Sequence, residues 1–245
     1  MRKKLPVSAK VRKALALAFP SAGKSILDLQ VVIVYEKAYL LAPATDDQVV
    51  TAAQALTWSA QRIKDLQSAL TAGNQTETDR QQTELELNCR IAFMGDRRAS
   101  DLLIKSKRGE RLGISDSAYL NRMRKRKALY GVHGHPMESP DVATAQELAE
   151  TERSARQCLR LPDDLPDDRL IQVLEDYASL SQDKFWLTDS EERNSRGMKP
   201  ESRARAKAVR MISGDEHAVN LYARRYLGET LSADENSYLD AELSR

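Results

Sequence analysis

The sequence predicts an all-α, multi-helix protein of about eight to ten helices in two helical subdomains, the first carrying a basic element of helix-turn-helix type. Three observations lead there. Apolar residues make up 41% of the chain but aromatics only 5%, with Ala and Leu dominating over Val and Ile, a composition suited to helix packing rather than to sheets. Apolar positions recur at helical and heptad spacing through most segments. The breakers cluster, above all between Tyr130 and Asp141, where Gly131, Gly134, Pro136 and Pro140 place a linker. The chain thus divides into a basic helical domain, 1–131, with a candidate helix-turn-helix at 99–128, and a second helical domain, 138–245, acidic in its first half with a basic helix at 200–212.

In chain order, the first helix is expected over Ser8 to Phe19 and ends at Pro20, with Gly23 marking the break. Ser25, with Asp28 three residues on, opens a second helix through Leu41, apolar around most of its girth. Its β-branched run Val31 to Tyr35 also suits a buried strand. After Pro43, Thr45 or Asp46 caps a long helix in which Val49, Leu56, Ile63 and Leu70 recur every seventh residue, supported by Ala52, Ala53, Ala60 and Leu66. Gly73-Asn74 ends it. Thr76 or Thr78 starts a further helical pattern reaching Gly95 and forming an antiparallel hairpin with the long one. Beyond the linker come helices from about Asp141 to Leu161 and from Asp167 to about Ser181, then a polar stretch, Thr188 to Ser202. Helices at Pro200–Ile212 and Asp215–Leu227 and a short one after Ser232 follow. No internal repeat is evident.

Charge is where the chain is most uneven. The formal net charge is +2, yet the first two dozen residues carry Arg2, Lys3, Lys4, Lys10, Arg12, Lys13 and Lys24 with no acid, while 138–192 is strongly acidic. Between Arg97 and Lys127, eleven cations face only Asp101, Glu110 and Asp116. A basic face of this density attracts phosphate, and the acidic block suits a basic protein partner.

Within the basic stretch, Leu112-Gly113-Ile114-Ser115-Asp116-Ser117 reads as a tight turn between two helices. Gly109 is expected to let the first helix approach closely, Gly113 to take a positive φ, Ile114 to plug the corner, and Ser115 or Asp116 to cap the second helix. Tyr119, Met123 and Tyr130 then face inward. Asn121 and Arg122 are the candidates for base edges, and Arg124, Lys125, Arg126 and Lys127, with Lys105, Lys107, Arg108 and Arg111, for phosphates. A second cationic stripe comes from Arg203, Lys207 and Arg210. The bland alternatives are a charged αα-corner and a solvated helix face.

Other motifs lack their partners. Ala18 to Ser25 ends in the Gly-Lys-Ser of a phosphate loop, but no strand precedes it and Pro20 interrupts it. Ser21 to Lys24 spells Ser-x-x-Lys without its companion motifs. His133 and His135 have only His217 as a further imidazole, and the Asp163 to Asp168 cluster, broken by Pro166, suits helix capping by Asp167 better than magnesium. Cys89 and Cys158 are expected to be reduced thiols. The opening Met1-Arg2-Lys3-Lys4 imitates a secretory signal, but its apolar run falls short of about 7 to 15 residues; the acid-free start also suits a transit peptide. No apolar run reaches the roughly 20 residues of a membrane span. The chain therefore reads as a cytoplasmic, non-enzymatic nucleic-acid-binding protein with no cofactor. DNA stands ahead of RNA as ligand, and the role is that of a regulator or a subunit of a nucleoprotein assembly. The alternative is an α-helical adaptor that binds proteins through its charged patches.

Overall fold

The computed structural model describes residues 7–20, 27–72, 75–133, 142–194, 199–212 and 215–244, with side chains for all of these but 27, 28 and 181–194. Among the described residues there are eleven α-helices and no strand: α1 (Ala9–Ala18), α2 (Leu27–Ala38), α3 (Asp46–Thr71), α4 (Glu77–Ala92), α5 (Arg97–Lys107), α6 (Ile114–His133), α7 (Ala145–Cys158), α8 (Asp167–Asn194), α9 (Pro200–Met211), α10 (Glu216–Tyr226) and α11 (Ala233–Leu243). The chain forms two compact units. Unit 1 comprises Met1–Tyr130 with Ser139–Leu148, and unit 2 Gly131–Glu138 with Ala149–Arg245.

In unit 1, α3 packs on α1, α2 and α4, and α4 packs on α5. Side-chain oxygens of Ser8, Thr45 and Thr76 accept the orphan N–H groups that open α1, α3 and α4; Thr45 and Gln48 form a reciprocal capping box. Val31 to Tyr35 is helical, and Val34 and Tyr35 join Val11, Leu15, Val49, Ala53 and Leu56 in one apolar cluster. The α3 seam is buried at Val49 and Leu56 and half-buried at Ile63 and Leu70, whereas Ala60 faces out. A second cluster, Phe93, Ala99, Leu102, Leu120 and Met123, holds α5 and α6. Gly95 sits where a Cβ would come within 2.6 Å of the Ala38 backbone, so only glycine fits there.

Several boundaries differ from the sequence reading for local reasons. The second helix ends at Ala38, because Tyr39 takes a positive φ of 50° and Leu40 N–H reaches back to Tyr35 O. The Tyr130–Asp141 linker is helical as far as His133; residues 134–141, with His135, lie outside the described residues, as do Gly23, Lys24 and Ser25 of the phosphate-loop-like stretch. Helix α8 runs on to Asn194, past the expected end near Ser181 and into the polar stretch that begins at Thr188. Asp167 and Asp168 lie in its first turn, where carboxylates complement the helix N-terminus, rather than at its cap.

In unit 2, α8 and α10 pack on α9 and α11 packs on α10, around Leu180, Val209, Ile212, Val219, Leu221 and Leu239. These elements overturn the reading that the chain has no internal repeat. Gly95-Asp96-x-x-Ala99-x-x-Leu102, Gly109-Glu110-x-Leu112 and Tyr119-Leu120 recur, with every spacing preserved, as Gly214-Asp215-x-x-Ala218-x-x-Leu221, Gly228-Glu229-x-Leu231 and Tyr238-Leu239. The backbone repeats as well. Asp96 (φ −138°, ψ 94°) and Asp215 (φ −136°, ψ 97°) cap α5 and α10, and Gly109 (φ 77°) and Gly228 (φ 87°) end them. Each capping aspartate also accepts a tyrosine hydroxyl from the next helix, Tyr119 at 2.6 Å and Tyr238 at 2.5 Å. Earlier in each copy, Arg160 matches Tyr39 with the same φ of 50°, and an Asp-Asp pair then opens the long helix in both, Asp46-Asp47 and Asp167-Asp168. Helices α2 to α6 and α7 to α11 are two copies of one five-helix pattern.

Candidate nucleic-acid interface

The site expected from sequence lies on α5, the connection Arg108–Gly113, and α6. Asp96 fixes the start of α5: its Oδ1 accepts Ala99 N–H at 2.9 Å and its Oδ2 the Tyr119 hydroxyl. Burial and the Asp96 carboxylate push the Tyr119 phenol well above its ordinary value, so it stays a protonated donor. Arg98 ties the same corner from outside, bonding Asp116 at 2.8 Å with its guanidinium 4.4 Å from the Tyr119 ring centre.

The connection itself differs from expectation at each of its landmarks. Gly109, not Gly113, carries the positive φ, and a Cβ on Gly109 would touch nothing, so conformational freedom and not close approach requires glycine there. Gly113 stands at the cap position, its carbonyl accepting Ser117 N–H, and Ser115 and Asp116 fall inside the first turn of α6. Ile114 is 92% exposed and plugs nothing; Leu112 packs against the α5–α6 core instead.

The predicted basic residues fall into three groups. Lys105, Lys107, Arg108 and Arg111 are all exposed at the end of α5 and along the connection, and none has an ion-pair partner among the described residues. Lys105 and Lys107 also lie where cations complement a helix C-terminus. Arg122 and Arg126 line a cleft. Arg122 is exposed beside Tyr119, and Arg126, half-buried, donates to Tyr39 O at 3.4 Å. The third group turns out more enclosed than an outward face requires. Asn121, Arg124, Lys125 and Lys127 are half-buried; Arg124 and Lys125 already have polar or electrostatic contacts within the chain, and Lys127 lies 5.6 Å from the Phe93 ring centre. Of the residues expected inward, Met123 is buried and Tyr119 and Tyr130 are half-buried. In unit 2, Arg203, Lys207 and Arg210 are exposed opposite the buried Ala204, Ala208 and Val209, and Lys207 lies 4.6 Å from the Tyr226 ring centre.

Arg97 and Arg98, which are not among the candidates expected from sequence, line the cleft with Arg122 and Arg126. The signal was present: aligning the two copies shows arginine at three cleft positions where the second copy has Glu216, His217 and Ala241.

No group of metal-ligating side chains occurs among the described residues, and no described helix is long and apolar enough to cross a membrane. Compared with protein-family models, curated proteins and solved structures, the chain has no match.

Proposed function

We propose that this is a non-enzymatic nucleic-acid-binding protein whose contact surface is the end of α5 and the connection into α6. One observation carries the reading: Lys105, Lys107, Arg108 and Arg111, the cationic ridge of the proposal, are exposed around the end of α5 and its connection and have no ion-pair partner among the described residues. A polyanion neutralises such a ridge and releases its own counterions in doing so. DNA is the first ligand to test and RNA the second, with the protein acting in the cytoplasm as a regulator or as part of a nucleoprotein assembly.

The test is electrophoretic mobility with duplex DNA, single-stranded DNA and RNA over a range of salt. Replacing Lys105, Lys107 and Arg108 together by Ala should lower the slope of log affinity against log salt by up to about three units, close to one per lost phosphate contact. Absence of a shift with all three ligands at moderate salt overturns the reading. A second reading, an adaptor for a basic protein, draws on the exposed Asp163, Asp164, Asp167 and Asp168 at the start of α8. Salt-sensitive binding of a basic protein that survives the triple replacement would favour it.

A further inference from the structure

In unit 1 the ends of α2 and α5 and the flanks of α3 and α6 enclose a cleft of about 630 Å³, within the roughly 300 to 1,000 Å³ of small-molecule sites. Four arginines are among its lining residues, Arg97, Arg98, Arg122 and Arg126. Its two carboxylates are engaged elsewhere: Asp47 pairs with Lys10, and Asp96 caps α5 while accepting Tyr119. Arg98 is held by Asp116, and Arg97 lies 4.2 Å from the Trp58 ring centre with Asp101 at 3.9 Å. Arg122 and Arg126 form no ion pair with a carboxylate among the described residues, although Asp96 acts on Arg126 through space. Burial first, and then the neighbouring Arg122, hold the Arg126 guanidinium below its ordinary value; an anion beside the two arginines would offset both effects.

The chemistry of the walls narrows the ligand. Tyr119, the aromatic side chain among the lining residues, is already attended by Arg98 and Arg122, so its ring serves guanidinium groups rather than offering a platform for a base. Paired guanidinium groups match phosphate oxygens in geometry as well as charge. A duplex, with a major groove alone about 12 Å wide, cannot enter a concavity of this size; a single phosphate can. The second copy supplies the internal contrast. It keeps the capping aspartate and the tyrosine that build the corner but replaces Arg97, Arg98 and Arg122 by Glu216, His217 and Ala241. The corner of the second copy forms without these arginines.

The geometry points to a phosphate-monoester site in this cleft, in which Arg122 and Arg126, with the positive charge of Arg97 and Arg98 beside them, hold the terminal phosphate of a free nucleotide or of a nucleic-acid strand end. The free-nucleotide source is independent of the ridge; the strand-end source rests on the nucleic-acid reading above.

Thermal unfolding of the full chain with inorganic pyrophosphate, against sodium chloride at matched ionic strength, is the direct test. Pyrophosphate about 100-fold above its dissociation constant should raise Tm by several degrees. The rise should vanish in Arg122→Ala, which changes an exposed side chain to the residue of the second copy, and in Arg126→Gln. It should persist in Lys105→Ala/Lys107→Ala. No rise in the wild type, or an equal rise in Arg122→Ala, overturns the site. Anisotropy with one labelled oligonucleotide carrying either a 5′-phosphate or a 5′-hydroxyl separates the sources. At least about tenfold tighter binding of the phosphorylated form assigns the strand end, whereas equal binding together with stabilisation by a nucleoside diphosphate as well as by pyrophosphate assigns the free nucleotide. Duplex mobility on the same samples reads the ridge separately, so either site can fail alone.

Discussion

The α5–α6 corner of unit 1 and the α10–α11 corner of unit 2 share a backbone and differ in what their charges face. Arg224 occupies in the second copy the place of Lys105 in the first; it bonds Glu229 at 2.9 Å and Glu235 at 2.8 Å, and the adjacent Arg225 bonds Asp240 at 2.9 Å. In the first copy the acids at the places of Glu229 and Glu235 are Glu110 and Asp116, and Asp116 is taken by Arg98. Lys105 and its neighbours are left to solvent. One corner spends its carboxylates on its own cations and the other turns its cations outward, so the recurring residues mark what the fold requires and the differing ones mark what a ligand would read.

The comparison extends into the packing between the paired helices, where breaking it should have the largest effect. Between α4 and α5 lies a polar cluster: Arg90, only 7% exposed, bonds Ser100 at 2.7 Å and Asp101 at 2.5 Å and pairs with Glu86 at 3.4 Å. Val209 and Val219 stand at the places of Arg90 and Ser100 in the second copy and are buried in its apolar core. Removing one member of a buried charge cluster costs about 3 to 5 kcal/mol, whereas replacing such a cluster by packed apolar groups is often neutral. Asp101 is 42% exposed at its side chain, which places Arg90→Val near the lower figure, about 3 kcal/mol in urea unfolding. Adding Ser100→Val, to complete the apolar pair of the second copy, should recover at least about 1 kcal/mol of that loss. Simple additivity of the two changes would show that the two interfaces are not interchangeable solutions.

A smaller effect, equal in the two copies, is expected from the shared corner. Asp96→Ala and Asp215→Ala each remove a helix cap and a tyrosine acceptor, and each should destabilise its own unit by about 1 to 2 kcal/mol. Hydrogen exchange on α5 and α10 can resolve the two units. A large effect at one site and none at the other would mean that the shared geometry does not carry a shared energetic role.

Much of this architecture was legible because its signals are local. Ser8, Thr45 and Thr76 announce their helices by side-chain chemistry that acts within one turn, and the α3 seam shows in heptad spacing. The corner was harder to read. Gly109 and Gly113 are both plausible left-handed residues in sequence, and which takes the positive φ depends on where α5 stops, here after Arg108 N–H returns to Ile104 O. The exposure of Ile114 follows from the same choice, since Leu112 fills the core position beside it. The duplication was hidden because its invariant residues are scattered singly, a cap, an αL glycine, a tyrosine, and gain meaning only once the Asp96–Tyr119 and Asp215–Tyr238 bonds are visible. The cleft was missed for a related reason: Arg97 and Arg126 lie far apart in sequence and meet through the fold.

The last test asks for no effect where a charge count alone would predict one. Arg224→Ala/Arg225→Ala removes two cations from a basic segment, as Lys105→Ala/Lys107→Ala does, so a protein held to nucleic acid by net charge would lose salt dependence equally in both. Arg224 and Arg225 already have carboxylate partners, and removing them exposes Glu229, Glu235 and Asp240. If contact with phosphate requires cations without such partners, the salt slope should stay within experimental error for the second-copy pair and fall by up to about two units for the first-copy pair. Equal losses would move the binding surface from the ridge to the charge of the whole molecule.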